Sequence, residues 1–141
     1  MAVNERDDLI KCNTFAVYGT LMGGFHNNIL MEEARFIDRG ESEFWATMYS
    51  AGGFPILSTA EPTSKIVVEL YTLPLTLEGE KALERIDGLE GHPDWYKRVI
   101  KTFNINGEKI RAWIYVQDNV NRDAPVVESG DWREYKLGVK A

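Results

Sequence analysis

Apolar and polar residues follow two periods along this chain. Ile66-Val67-Val68-Glu69-Leu70-Tyr71-Thr72 is the densest β-branched and aromatic run and predicts a strand that Pro74 closes. Thr14 to Tyr18 predicts a short buried strand. Glu43 to Tyr49 predicts another, with Phe44 and Trp45 as packing residues, and Ile56 to Ser58 rejoins the sheet after a turn. Tyr96 to Ile105 runs out, Asn106-Gly107 signals a type I′ turn, and Lys109 to Val116 returns. Its Ile110, Ala112, Ile114 and Val116 alternate with Arg111, Trp113 and Tyr115. The period lengthens after Thr76, a suitable N-cap. Leu77, Ala82, Leu83, Ile86 and Leu89 recur near helical spacing, and Glu78 and Glu80 suit the positive end of the helix dipole. A short helix is expected over Asn28 to Ala34 and a loose lead-in over residues 1 to 13. About six short strands around one main helix, with short attached helices, predict an α+β fold built on a small mixed β-barrel.

Composition narrows the function classes. At 141 residues, with 44% hydrophobic and 27% charged, the chain is expected to form one domain over 1–141, with its core at about 14–116. The formal charge of −6 argues against nucleic acid or an anionic membrane as partner. Cys12 is the single cysteine and His26 and His92 the two histidines, which leaves no pattern for a metal site. Met1 to Asn13 resembles neither a signal nor a transit peptide, and no window is apolar enough to span a bilayer. A cytoplasmic monomer is the expectation.

Two stretches carry candidate chemistry. Glu90 falls where the predicted helix ends, with Gly91 suited to a left-handed cap and Pro93 barring continuation. A carboxylate at that end faces the negative pole of the dipole, which raises its pKa and suits a proton carrier; the plain alternative is a solvated surface charge. The second stretch is Phe15 to Asn27, a strand breaking into a loop with Gly19, Gly23 and Gly24. Its spacing matches no phosphate-binding loop.

Together these stretches resemble the γ-glutamylcyclotransferase-like superfamily, which includes γ-glutamylamine cyclotransferases and plant AIG2-like proteins. The matching letters are Y-G-T-L-x-x-G-x-x-N over Tyr18 to Asn27 and D-x-x-E-x-x-P-x-x-Y-x-R over Asp87 to Arg98, and the resemblance covers about Thr14 to Val116. It implies a small γ-glutamyl amine or peptide as substrate, cyclised to 5-oxoproline with release of the amine and without a cofactor. Glu90 stands at the position of the family's catalytic glutamate. The loop of Tyr18, Gly19, Thr20 and Leu21 is implied to hold the substrate's amino-acid end through backbone groups. Phe54 and Pro55 are candidate pocket walls, and Tyr96 and Tyr115 join Tyr18 as candidate hydrogen-bonding walls. Asp87 is expected to stabilise structure, by pairing with Arg98 or capping local backbone, and to take no part in catalysis; His92 is expected to be an exposed loop residue, the alternative being that it tunes Glu90. Ser129-Gly130 before Trp132 predicts a short helix that either lays Trp132 and Tyr135 over the barrel mouth, so that 117–141 covers the pocket, or packs the C-terminus. Two further functions fit the same residues: a non-catalytic pocket for a small molecule, and an interaction module recruiting a protein through Trp132 and Tyr135.

Overall fold

The computed structural model describes residues 4–92 and 94–138, so the predicted helix-stopping role of Pro93 and the first three residues of the lead-in lie outside the described residues. Five strands close a barrel in the order β1 (Thr14–Val17), β5 (Val67–Thr72), β2 (Arg35–Ser42), β6 (Lys97–Ile105) and β7 (Glu108–Val116). All neighbours are antiparallel except β1 and β7, whose parallel contact at Phe15 and Trp113 completes the closure. Closure removes the free sheet edges that would otherwise invite association. The strands β3 (Thr47–Ser50) and β4 (Pro55–Ser58) form a separate two-stranded sheet. Ile56 to Ser58 therefore does not rejoin the main sheet as expected; Gln117 at the end of β7 donates to the Leu57 carbonyl at 2.8 Å and ties the small sheet to the barrel.

The hairpin of β6 and β7 follows the predicted turn. Asn106 and Gly107 both take positive φ, 51° and 87°, which the type I′ geometry requires and which Asn and Gly supply at least strain. Register then runs unbroken from Ile105 and Glu108 to Lys97 and Val116. Buried Phe103 and Ile114 from this hairpin meet Val68 and Leu70 from β5 and Leu83 and Ile86 from α2 (Leu77–Glu90) in one core.

Several elements depart from the expectation. Residues 5–11 form a helix, α1 (Glu5–Lys11), because Asn4 caps it by accepting from the Asp7 amide and Leu9 is buried; one apolar anchor was too weak a periodic signal. Strand β2 was not foreseen, since its apolar residues Phe36 and Ile37 are adjacent rather than alternating and its first half is exposed. Gly40 within it is needed for close approach, as a Cβ there would stand 2.5 Å from the Asn104 carbonyl oxygen. The strand expected from Glu43 begins only at Thr47, and Trp45 is 54% exposed rather than packed. The short helix over 28–34 is a 3₁₀ turn over Asn28–Met31. On α2, Leu77 and Leu89 are exposed, while Gly79, Ala82, Leu83, Ile86 and Asp87 face inward. The inward stripe is rotated from the predicted one because it includes an acid.

Candidate active site

That acid has a built partner. The Arg98 guanidinium donates from Nε to Asp87 Oδ1 and from Nη2 to Oδ2, both at 2.8 Å, as the sequence led us to expect. Tyr115 donates its hydroxyl proton to Asp87 Oδ1, and Arg98 Nη1 also reaches Asp8 Oδ2 of α1 at 2.8 Å. The Trp113 ring stacks against the guanidinium, 4.8 Å from centroid to charge. Arg98 and Asp87 are both buried, so each needs the other's charge to sit in the core.

Glu90 lies one turn further on. The helix ends there because Gly91 takes φ 69° and its amide donates back to Asp87 and Gly88 carbonyls, a left-handed cap that β-substituted residues resist. The Glu90 backbone is pinned by the Tyr96 amide at 3.2 Å. Its carboxyl has no hydrogen-bond or ion-pair partner among the described residues and is pushed up to about 7, first by burial and second by the nearby Asp87 carboxylate.

Glu90 lines a cavity of about 360 Å³. The candidate substrate-binding residues Tyr18, Gly19, Thr20, Leu21, Phe54, Pro55, Tyr96 and Tyr115 all line it together with Glu90. The loop after β1 is folded on itself. Asn27 donates from its amide to the Thr20 carbonyl at 3.0 Å and from Nδ2 to Thr20 Oγ1 at 2.8 Å, and Asn28 Nδ2 donates to the Leu21 carbonyl at 2.7 Å. Gly19 is needed for proximity: a Cβ would meet Pro55 Cγ at 2.7 Å.

The tyrosines use their hydroxyl protons on the protein. Tyr18 donates to the Tyr115 carbonyl at 2.7 Å and Tyr96 to the Pro55 carbonyl at 3.0 Å. Burial raises the hydroxyl pKa of all three well above its ordinary value. They are rigid walls held in place by their own hydrogen bonds, with only lone pairs left for a ligand.

The AIG2-like gamma-glutamyl cyclotransferase family model matches residues 15–134. The chain belongs to this family. A Methanocaldococcus jannaschii protein provisionally named a gamma-glutamylcyclotransferase is 36% identical over 122 residues, 85% of this chain and 95% of that protein. The gamma-L-glutamyl-butirosin B gamma-glutamyl cyclotransferase of Niallia circulans is 29% identical over 86% of this chain and 76% of its own length. The crystal structure of a mouse AIG2-like protein shares the fold with a TM-score of 0.68 at 22% identity, covering 91% of this chain and 93% of the mouse chain. The protein is thus an enzyme of the γ-glutamylcyclotransferase kind.

Sequence reasoning missed parts of the cyclotransferase cavity. His26, Leu89 and Trp95 line it, and so does Asn27, which the motif contained without assigned geometry. Trp95 packs edge-on against Phe54 and Tyr96 at 6.0 and 4.9 Å. Its position beside Tyr96, directly after the Glu90 cap, was the available signal. His92 is not an exposed loop residue: it is half-buried, its Nδ1 accepts from the Arg98 amide at 3.2 Å, and burial lowers its pKa. The helix α3 (Trp132–Leu137) lines none of this cavity; Trp132 is 1% exposed in the core, and Tyr135 stacks on it beside a different recess. No described helix is long and apolar enough to cross a membrane.

Proposed function

We propose that this enzyme cyclises the γ-glutamyl group of a small γ-glutamyl amine or peptide to 5-oxoproline, with Glu90 as the proton carrier. The observation that supports this reading is one carboxyl without a counter-charge among the described residues, pushed up to about 7 at the wall of a cavity that a glycine-rich loop also lines. Ionised Glu90 takes a proton from the substrate's α-ammonium. The freed amine attacks the γ-carbonyl carbon, forming the ring C–N bond and a tetrahedral oxyanion. Glu90 then gives its proton to the departing nitrogen as the old C–N bond breaks. The second proton of the ring nitrogen follows the same way, so two leave the α-nitrogen and two reach the amine. Such transfer is worth about 10²–10⁴-fold, and a pKa near the working pH lets one carboxyl act as base and then acid. The backbone N–H groups of Gly19, Thr20 and Leu21 hold the α-carboxylate or the developing oxyanion.

The test is 5-oxoproline release from γ-glutamyl amines, γ-glutamyl dipeptides and glutathione by the native chain and by Glu90→Gln. We expect release from at least one class, an ascending pH limb near 7, and loss of release in the folded variant. A native protein that binds these compounds without turnover would overturn the reading.

A further inference from the structure

The glycine-rich loop is gripped from outside the cavity by charges that the mechanism does not use. Glu69 on β5 is 3% exposed, an uncommon place for a carboxylate unless it is paired. Its Oε1 accepts from the Gly23 amide and from the Tyr71 hydroxyl, each at 2.9 Å. Arg133 on α3 donates from Nη2 to Glu69 Oε2 at 2.8 Å and, from the same nitrogen, to the Gly23 carbonyl at 2.6 Å. Both polar groups of one loop residue are thus closed into a ring with a part-buried ion pair. Arg39 stands 3.5 Å from Glu69 as a more exposed second cation. A buried ion pair is weak evidence of net stability, because desolvation offsets most of its attraction; what it supplies is geometry. Lys136, one turn along α3, donates to the Gly52 carbonyl at 2.9 Å, so the same short helix also touches the loop that leads into Phe54 and Pro55.

We propose that Arg133 and Glu69 are positioning residues that hold the loop from Gly19 to Asn27 in its substrate-binding shape, which makes the C-terminal helix a brace for the site rather than a lid. The inference rests on the proposed reaction for its kinetic consequence. Glu90 is held by α2 and not by this ring. Loosening the ring therefore weakens the grip on the glutamyl end common to all substrates and leaves proton transfer alone.

The variants are Arg133→Met, Arg133→Lys and the double Glu69→Gln/Arg133→Met, which removes both charges of the pair. Amide hydrogen exchange on each folded protein should show faster exchange across residues 19–27 in Arg133→Met and in the double variant, with α2 unchanged. Steady-state release of 5-oxoproline should show KM raised about tenfold, by a similar factor for different leaving amines, with kcat and its pH limb retained. Arg133→Lys should recover most of the loss, since both contacts come from one nitrogen and an ammonium has protons for both. The double variant should be no worse than the single one if the ring acts as a unit. Unchanged exchange in the loop overturns the inference whether or not the native chain turns over, and so does a lower melting temperature with KM unchanged. A native chain without release instead counts against the proposed reaction, and the exchange result then judges the brace by itself.

Discussion

The last turn of α2 holds two carboxylates three residues apart, and the protein surrounds them in opposite ways. Asp87 is 5% exposed and receives both arms of Arg98 and the Tyr115 hydroxyl. Glu90 receives neither a cation nor a donor among the described residues, and burial together with the Asp87 charge moves it to about 7. Counter-charge makes an acid part of the scaffold. Its absence, one turn on at a half-buried position, leaves an acid free to change protonation state at neutral pH. The Asp87–Arg98 pair thus contributes twice, locking the end of α2 to β6 and supplying the negative charge that helps hold a proton on Glu90.

The contrast is attacked most directly at Glu90. Under the proposed reaction Glu90→Gln keeps size and packing and removes the proton carrier, so kcat should fall about a thousandfold, within the range for acid/base catalysis, while the far-UV spectrum is unchanged. Asp87→Asn should do the reverse. Arg98 would keep Asp8 but lose its bidentate partner, and breaking a buried pair costs about 3 kcal/mol, read as a lower denaturant midpoint. Turnover should survive in the folded fraction with its pH limb moved to lower pH, because one of the two causes raising the Glu90 pKa has gone. Loss of turnover at every pH would mean that Asp87 is itself in the chemistry.

Stability against pH separates the two acids without substrate. Glu90 titrates near 7 when folded and at an ordinary 4.5 when unfolded. Between those values the folded state binds more protons, so stability falls as pH rises; the contribution is full below 4.5 and gone above 7. With allowance for the part of the side chain that water reaches, it amounts to roughly 2 kcal/mol. Unfolding free energies at pH 5 and pH 8 should therefore drop by about that much more for the native chain than for Glu90→Gln, which carries no such group. Parallel slopes would show that Glu90 titrates as a normal surface acid.

Much of this pairing was legible in the chain. The helix end, the Gly91 cap, the Asn106-Gly107 turn and the Asp87–Arg98 pair all follow from local chemistry at short range, where the residue types leave few choices. What was not legible depended on partners distant in sequence. Leu89 was placed on the inner face of α2 because it is apolar, yet Asp87 took that face, since Arg98 waits on β6. Glu69 sits in the strongest strand signal, where only Tyr71 among its near neighbours partners its carboxylate. Its burial depends on Arg133, sixty-four positions away, in a segment whose sequence showed only two aromatics near a helix start. Strand β2 was invisible because its first half does not alternate and stays exposed, held by the backbone of β5 rather than by a core.

Tyr115 is where the two acids come closest to sharing a residue, since its ring lines the cavity beside Glu90 and its hydroxyl serves Asp87. Tyr115→Phe keeps the ring and deletes the donor. Hydrogen bonds to charged groups are worth about 1.5–3 kcal/mol, and Asp87 would still hold both arms of Arg98, so a loss near the low end, about 1.5 kcal/mol, is expected in denaturant unfolding. On the proposed mechanism the rate should change by no more than a few fold, because the hydroxyl proton is committed to Asp87 and is not needed by the substrate. A rate loss above about a hundredfold in a folded protein would be of the size that a lost transition-state donor produces. It would place the hydroxyl in the reaction, and Asp87 with it, and the separation between a fixed acid and a titrating one would then have to be redrawn as a single chain of proton partners.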